Sequence, residues 1–179
     1  MVLSTGVSTE SDIQRALEVI GAAARGRFTP SFSSPAGGYP AVLLHCLTSY
    51  PAPEDQANLR LIPALAARWG LPAGLSDHSL DPVLIPALAA ALGAVAIEKH
   101  ITLDRSAGGL DDPVALTPAA FGRLTAAVRR FALPSKSPSG APDPAHLRSV
   151  VEELAVEYGL KRVEACLGVG VKRLAASES

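Results

Sequence analysis

The sequence has few aromatic residues, only two cysteines and almost no excess of either charge. Aromatic residues make up 4% of the 179 positions, and the formal net charge is −1. Charge therefore gives no indication of a nucleic-acid partner, because binding to a phosphate backbone depends on an excess of lysine and arginine. The two cysteines, Cys46 and Cys166, lie too far apart in sequence to indicate a disulfide framework, which favours a reducing cytoplasm as the location.

Long apolar runs and a signal sequence are also lacking. The longest apolar run, Val83 to Ile97, contains Pro86 and Gly93 and is too short to span a bilayer comfortably. No basic segment followed by an apolar one opens the chain, so we expect neither a secretory signal nor a membrane partner. Hydrophobic residues nevertheless make up 48% of the sequence, which is enough to bury a core.

Four short apolar segments, each followed by a helical pattern, predict an α/β fold. The predicted strands are Val2–Ser4, Ala41–Cys46, Ala73–Ser76 and Val95–Glu98. Strands that alternate with helices form parallel sheets. A complete eight-stranded (β/α) barrel usually needs about 250 residues, so this chain can supply about half of one. From this pattern we predict a parallel α/β sheet of about four strand–helix units, followed by a C-terminal helix.

Capping residues and prolines mark several helix boundaries. Thr9 and Asp12 form a pattern like a capping box before the first helix. Thr117 and Pro118 predict the start of the fourth helix, with threonine as the cap and proline in the first position. Pro63 is likewise expected at the first position of the second helix, and the third helix is predicted between residues 81 and 93.

Composition divides the chain into three parts. Residues 1–133 carry the four strand–helix units, residues 134–145 are rich in proline and serine and are typical of a linker, and residues 146–179 form a C-terminal helical segment. Apolar residues at helical spacing between Leu147 and Leu154 predict an amphipathic helix in the last part. Residues 25–39, which are rich in serine, proline and glycine, predict a surface loop.

Two histidines follow the third and fourth predicted strands. His78 lies in the segment GLSDHS, and His100 ends the segment AIEKH. Functional residues of parallel α/β folds lie at the carboxyl ends of the strands. Because side chains alternate along a strand, Ser76 faces the same way as His78, and Glu98 the same way as His100. From the residues alone, hydrogen-bonded histidines at strand ends are the commoner explanation, and a two-histidine metal site is the alternative.

Several segments, in the same order, resemble those of a known family. The segments GLSDHS, LGAVAIEKHITLD and GLD, preceded by LSTGVST and LLHCLTSYPAPEDQANLRLIP, are similar to the sialic acid synthase family. This family includes N-acetylneuraminate synthase and related nonulosonic acid synthases. The resemblance covers most of residues 2–131 and corresponds to the second half of the family barrel. It implies that residues 1–133 form a partial TIM (β/α) barrel, or half-barrel, of about four strand–helix units. It implies a transferase that condenses phosphoenolpyruvate with an N-acylhexosamine to give a nonulosonic acid such as N-acetylneuraminate.

The resemblance implies a metal-dependent catalytic group. His78 and His100 match the positions that hold a divalent metal in the family, and we expect Mn²⁺. Glu98 is the third expected catalytic residue, as a carboxylate that handles a proton or supports the metal ligands, although a structural role explains it equally well. His45 is a third candidate ligand by residue type, but a histidine satisfied by hydrogen bonds within its strand explains it more simply.

Four further residues are expected to contact substrate. The resemblance places Ser4 at the phosphate of phosphoenolpyruvate, and Ser76, which faces the same way as His78, is a second candidate for phosphate. Tyr50 and Asp111 are expected to contact the sugar. Two departures from the family pattern lie beside these residues, since Leu-Thr-Ser stands before Tyr50 and Gly-Leu-Asp replaces the usual Gly-Pro-Asp. The carboxylate of Asp111 is retained.

The resemblance also indicates that the chain needs a partner. The phosphate-binding lysines and several sugar contacts of the family come from the first half of the barrel, which these four units do not include. We therefore expect a homo-oligomer or a partner chain that supplies the other half-barrel. The alternative function is a non-catalytic remnant or scaffold half-barrel that pairs with itself or with a partner chain.

Overall fold

Four parallel strands form the centre of the molecule. The computed structural model describes residues 1–24, 41–132 and 142–168. The strands are β1 Val2–Ser4, β2 Val42–Cys46, β3 Ala73–Asp77 and β4 Ile97–Lys99, and they lie in the order β1-β2-β3-β4 with every pairing parallel. The predicted α/β half-barrel of four strand–helix units is thereby confirmed.

A helix follows each of the four strands, and two more helices come later in the described part of the chain. The described helices are α1 Glu10–Ala24, α2 Leu61–Trp69, α3 Leu84–Ala91, α4 Pro118–Phe131, α5 Pro144–Tyr158 and α6 Leu160–Leu167, and a short 3-10 helix, Glu54–Gln56, precedes α2. No helix among the described residues is long and apolar enough to cross a membrane.

Two of the predicted helix starts have the expected capping contacts. The Thr9 amide donates to Asp12 Oδ2 at 2.9 Å, and the Asp12 amide donates to Thr9 Oγ1 at 3.3 Å. At the start of α4, Thr117 Oγ1 accepts a hydrogen bond from the Ala120 amide at 3.4 Å. These bonds satisfy amides that have no partner within the helix.

Other helix boundaries differ from the prediction. Helix α2 begins at Leu61, so Pro63 is its third residue and not its first. The first turn of a helix tolerates proline because the backbone N–H groups of that turn have no acceptor within the helix in any case. Helix α3 is shorter than predicted, because the Asp81 carboxylate accepts hydrogen bonds from the Val83 and Leu84 amides just before the helix begins.

The C-terminal part forms two helices where one was predicted. Gly159, with a φ of 80°, separates α5 from α6. A positive φ of this kind is readily adopted by glycine and breaks the helical path. Val150 and Leu154 of α5 and Val163 of α6 are buried in the same core as the sheet.

The core lies between the sheet and its helices. On the strands, the core side chains include Leu43, Ala73 and Leu75, and all eight residues of α3 are buried. Alternation then directs the neighbouring strand residues toward the opposite face, which would be the interior of a closed barrel. The predicted loop 25–39, residues 134–141 of the predicted linker and residues 169–179 lie outside the described residues.

Candidate active site

A cleft of about 460 Å³ lies at the carboxyl ends of the four strands. The strands and the loops that follow them contribute chemically capable side chains to its walls. These side chains include Ser4, Cys46, Tyr50, Ser76, His78, Glu98 and His100. All the residues predicted from the sequence to bind metal or substrate, except Asp111, therefore line one cleft. Asp111 reaches the same place through its contact with His100.

The strand register explains how three of these side chains meet. Cys46 is paired with Ser76, and Ser76 is paired with Glu98, across neighbouring parallel strands. Paired residues of neighbouring strands point to the same face of the sheet. Ser76 Oγ accordingly donates a hydrogen bond to Glu98 Oε1 at 2.7 Å. Glu98 is exposed in the cleft, whereas Ser76 is buried at its floor.

The ring of His78 is buried and held from two sides. Its Nδ1 lies 3.0 Å from the Leu47 carbonyl oxygen, and its own carbonyl oxygen accepts a hydrogen bond from the Ala52 amide at 3.0 Å. The Tyr50 ring packs against it, with centroids 4.1 Å apart and planes tilted by 30°. Because a carbonyl oxygen can only accept, Nδ1 is the donor, and Nε2 of the neutral ring keeps a lone pair for a ligand.

The ring of His100 lies beside that of His78, with centroids 5.3 Å apart. His100 Nδ1 is 3.5 Å from Asp111 Oδ2. The loop that carries Asp111 folds back because the Leu116 amide donates to the His100 carbonyl at 2.9 Å and the Thr102 amide donates to the Leu116 carbonyl at 3.0 Å. These two hydrogen bonds join the beginning and the end of the loop, and the loop therefore brings Asp111 close to His100.

Tyr50 forms the outer wall of the cleft, and half of its surface is exposed. Partial removal from water raises the pKa of the Tyr50 hydroxyl above its usual value, and the neighbouring Cys46, Asp111 and Glu98 raise it further. The hydroxyl therefore remains protonated at neutral pH, so it can donate a hydrogen bond to a ligand.

Two contributors to the cleft were missed in the sequence. Cys46 Sγ lies 3.9 Å from His78 Nδ1, and alternation along β2 would have placed it there, in register with Ser76. Gly6 is the second, because a Cβ at this position would overlap Thr48 Oγ1. Glycine therefore lets the loop after β1 approach the loop after β2 closely.

His45 is not part of the cleft. It lies on the helix-facing side of β2, is 8% exposed, and its Nε2 is 2.6 Å from the Ala57 carbonyl oxygen. This contact fits the simpler explanation, a strand histidine satisfied by a hydrogen bond. His45 thus ties β2 to the 3-10 helix and points away from His78 and His100.

The residues at the cleft fit an open metal site better than a closed one. No group of three or more His, Cys, Asp or Glu side chains that could hold a metal occurs within residues 1–24, 41–132 and 142–168. His78 and His100, however, each have Nδ1 beside an oxygen, as is usual for histidines that bind a metal through Nε2. Two imidazoles leave the remaining coordination positions to substrate and water, as a catalytic metal requires.

A larger cavity, about 930 Å³, lies elsewhere, between the loop after Tyr50 and the start of α6. Its wall includes the ion pair between Arg162 and Glu54, which are 2.8 Å apart, but no histidine. Cavity volume therefore does not identify the candidate active site. The smaller cleft is the candidate active site because it alone of the two contains the paired imidazoles.

Comparison with known proteins identifies the family. The sequence profile of the NeuB family matches residues 1–137. The chain belongs to the NeuB family. The seven residues predicted to serve catalysis, metal binding or substrate binding all lie within that match, whereas α5 and α6 lie beyond it. Relatives that the chain matches are named as N,N'-diacetyllegionaminic acid synthase, N-acetylneuraminate-9-phosphate synthase and pseudaminic acid synthase.

One sequence relative and two solved structures show the extent of the similarity to NeuB proteins. N,N'-diacetyllegionaminic acid synthase of Legionella pneumophila is 33% identical over 129 residues, which are 72% of this chain and 33% of that protein. The spore coat polysaccharide biosynthesis protein spsE of Bacillus subtilis has a TM-score of 0.62 and 30% identity, over 96% of this chain and 39% of the other.

The second structure is the N-acetylneuraminic acid synthetase of Leptospira borgpetersenii in complex with citrate. It also has a TM-score of 0.62 and 30% identity, and the match covers 87% of this chain and 50% of the other. The chain spans 33–36% of the length of the first three curated relatives that it matches. The match to these two solved structures agrees with the half-barrel seen in the sheet.

Proposed function

We propose that this chain forms the metal- and sugar-binding half of a nonulosonic acid synthase active site. The reaction would join phosphoenolpyruvate to an N-acylhexosamine. The observation that supports it most is the meeting of the His78, His100 and Tyr50 rings at the carboxyl end of a NeuB-family half-barrel. Functional groups of (β/α) barrels lie at this end of the strands.

His78 and His100 would hold a divalent metal, for which we propose Mn²⁺. When bound, the metal would act as a Lewis acid on the sugar aldehyde. The support from this chain is that the Leu47 carbonyl lies beside Nδ1 of His78 and the Asp111 carboxylate lies beside Nδ1 of His100. Nε2 of each ring is thereby left for a ligand. We expect modest affinity, because two imidazoles alone are a poor site for a metal that prefers oxygen ligands.

The other side chains of the cleft would bind substrate and move a proton. In the proposed reaction, the enol carbon of phosphoenolpyruvate forms a bond to the aldehyde carbon, water adds, and phosphate leaves as its C–O bond breaks. Glu98, held by the hydroxyl of Ser76, would take the proton from that water. Ser4 and Ser76 would contact the phosphate.

Sugar recognition would come from Tyr50 and Asp111. Tyr50 presents a protonated hydroxyl, and Asp111 presents a half-exposed carboxylate beside His100. Both groups can hydrogen-bond the hydroxyls of an open-chain sugar. Sites of this kind discriminate strongly, because a missing partner leaves polar groups of the site unpaired.

A second strand-forming chain is the partner we propose. Among the described strands, β1 pairs only with β2 and β4 pairs only with β3. Unpaired strand edges present backbone groups that bind another strand. A partner half-barrel or a second copy of this chain would cover them. The same edges favour the second candidate function, a scaffold that pairs with a partner without catalysis.

The test compares metal binding and turnover in matched variants. Calorimetry with Mn²⁺ should give a binding signal for the chain, and His78→Ala should abolish it. His146→Ala is the control, because His146 lies on α5 and bonds the Phe131 carbonyl, away from the cleft. Product formation from phosphoenolpyruvate and an N-acylhexosamine, measured with a supplied first half-barrel, should show the same pattern. Equal Mn²⁺ binding by both variants would exclude the proposed metal site.

A further inference from the structure

Behind the two histidines, the strand ends are joined by a buried ion pair. Asp77 and Lys99 immediately precede His78 and His100 and point to the helix-facing side of the sheet. Lys99 Nζ lies 2.7 Å from Asp77 Oδ2, and the two side chains are 1% and 3% exposed. The pair therefore links β3 to β4 directly behind the cleft.

Lys99 also holds the residue that follows His78. Its Nζ donates to the Ser79 carbonyl oxygen and lies 3.4 Å from Ser79 Oγ. Asp77 Oδ1 accepts from the Ser79 amide at 2.8 Å, and Asp77 Oδ2 accepts from Ser79 Oγ at 3.1 Å. One lysine on β4 thus fixes the chain on both sides of His78, while its own backbone leads into His100.

Stability alone does not account for this pair. Removing two charges from water is costly, and well-packed apolar residues in place of a buried ion pair are often equally stable. The positions two residues earlier on the same face hold apolar side chains, Leu75 and Ile97. A charged pair, unlike two apolar side chains, demands one particular geometry. The pair is therefore best explained by the geometry that it imposes on the two strand ends.

We propose that Asp77 and Lys99 are positioning residues that set the distance and orientation between the His78 and His100 rings. Through them the pair determines how tightly the two imidazoles bind a shared divalent cation. The cation-binding part rests on the proposed function. The positioning of the rings does not, and it can be measured on the metal-free chain.

The test uses the full chain and two kinds of variant. In Lys99→Met with Asp77→Asn, both charges are removed together, so no unpaired charge remains in the core, and the asparagine still accepts a hydrogen bond from the Ser79 amide. Leu65→Ala is the control, because it removes buried side-chain volume from α2 and lowers stability while Asp77, Ser79 and Lys99 stay unchanged. Both variants are compared with the wild type by circular dichroism and thermal unfolding.

Two readouts follow. Nuclear Overhauser contacts between the His78 and His100 rings, whose centroids are 5.3 Å apart, should weaken in the double variant and persist in Leu65→Ala. Mn²⁺ affinity, measured by calorimetry, should fall by roughly tenfold or more in the double variant, as is typical when groups that orient metal ligands are lost. The affinity of Leu65→Ala should equal that of the wild type.

The outcome separates this proposal from the proposed function. A folded double variant with wild-type ring contacts and wild-type Mn²⁺ affinity would overturn the positioning role. If the wild type itself binds no Mn²⁺, the metal function fails, and the ring contacts alone decide. Loss of these contacts in the double variant, but not in Leu65→Ala, supports positioning; their retention refutes it.

Discussion

At the residue scale, the two histidines of the cleft are held by different kinds of oxygen. His78 is 5% exposed and lies against a backbone carbonyl, which cannot change its charge. The side chain of His100 is 33% exposed and lies beside the carboxylate of Asp111, which is 51% exposed. Metal-binding histidines usually place their second ring nitrogen beside a carboxylate, a backbone carbonyl or water, and this partner orients the ring. In the proposed metal site, His100 is therefore the ring whose partner carries a charge that a substitution can remove.

We predict that Asp111→Asn lowers Mn²⁺ affinity by roughly 10- to 100-fold, the usual effect of removing the partner of a metal-binding histidine. The substitution keeps the size of the side chain and removes only its charge. The matched control is Asp112→Asn, one residue along the same loop. Asp112 Oδ2 accepts from the Gly109 amide at 2.7 Å, and asparagine can still accept that bond. Calorimetry that shows the same loss for both variants would contradict a specific role for Asp111.

At the element scale, the start of α4 depends on one side chain. Thr117→Ala removes the acceptor of the Ala120 amide and should lower the free energy of unfolding by about 1 kcal/mol. The control is Thr125→Ala in the same helix, whose hydroxyl bonds the Gly122 carbonyl. Alanine has the higher helix propensity at such an interior position, so this variant should lose no stability. Urea unfolding that ranks the two variants in the opposite order would show that Thr117 does not cap α4.

The packing of α6 predicts a difference between the two cysteines. Burial raises the pKa of the Cys166 thiol to about 12, whereas Cys46 is partly exposed in the cleft. Since the thiolate is the reactive form, a thiol reagent at about pH 8 should modify Cys46 and leave Cys166 unmodified. The native Cys46→Ala variant should therefore react only after unfolding in urea. Rapid reaction of that native variant would mean that α6 does not stay packed.

The same thiol affects stability at high pH. The folded-state pKa of Cys166 is raised from 9.0, so the protonated thiol favours the folded state. Its contribution is fully present below about pH 9 and is lost as pH rises through the folded-state value of about 12. The Cys166→Ala variant should lose less of its unfolding free energy than the wild type as pH rises above 9.0.

At the scale of the whole molecule, the edges of the sheet govern association. A closed (β/α) barrel pairs every strand on both sides, whereas β1 and β4 each have one partner among the described strands. Apolar side chains are exposed beside these edges, including Val2 at 59% and Val95 at 61%. Burying them against another strand-forming surface would be favourable.

We therefore predict that the isolated chain is not a stable monomer and has no synthase activity by itself. Sedimentation at several concentrations should show self-association, and a supplied first half-barrel should replace it with a mixed complex. Val95→Lys places a charge beside the β4 edge and should weaken association, whereas Val156→Lys, 90% exposed on α5, should not. A concentration-independent monomer that forms product from phosphoenolpyruvate would contradict both parts.

Much of the fold could be predicted because its signals are local. The alternation of apolar strands with helical patterns predicts the parallel sheet, and the two-residue period along β3 and β4 predicts that Ser76 and Glu98 share a face with the histidines. The second C-terminal helix was not predicted, because Gly159 breaks the pattern and residues 160–167 are too short to show a clear helical period.

What the sequence determined by itself is the alternation of strands and helices that makes the sheet parallel, and the end of the sheet at which His78 and His100 lie. The tertiary structure decided the rest of the site: that His45 points away, that Asp111 folds back onto His100, and that Lys99 pairs with Asp77. The physical reason is the distance along the sequence between the residues involved. Alternation is a property of neighbouring residues, whereas these contacts join different strands and loops and exist only once packing has brought those elements together.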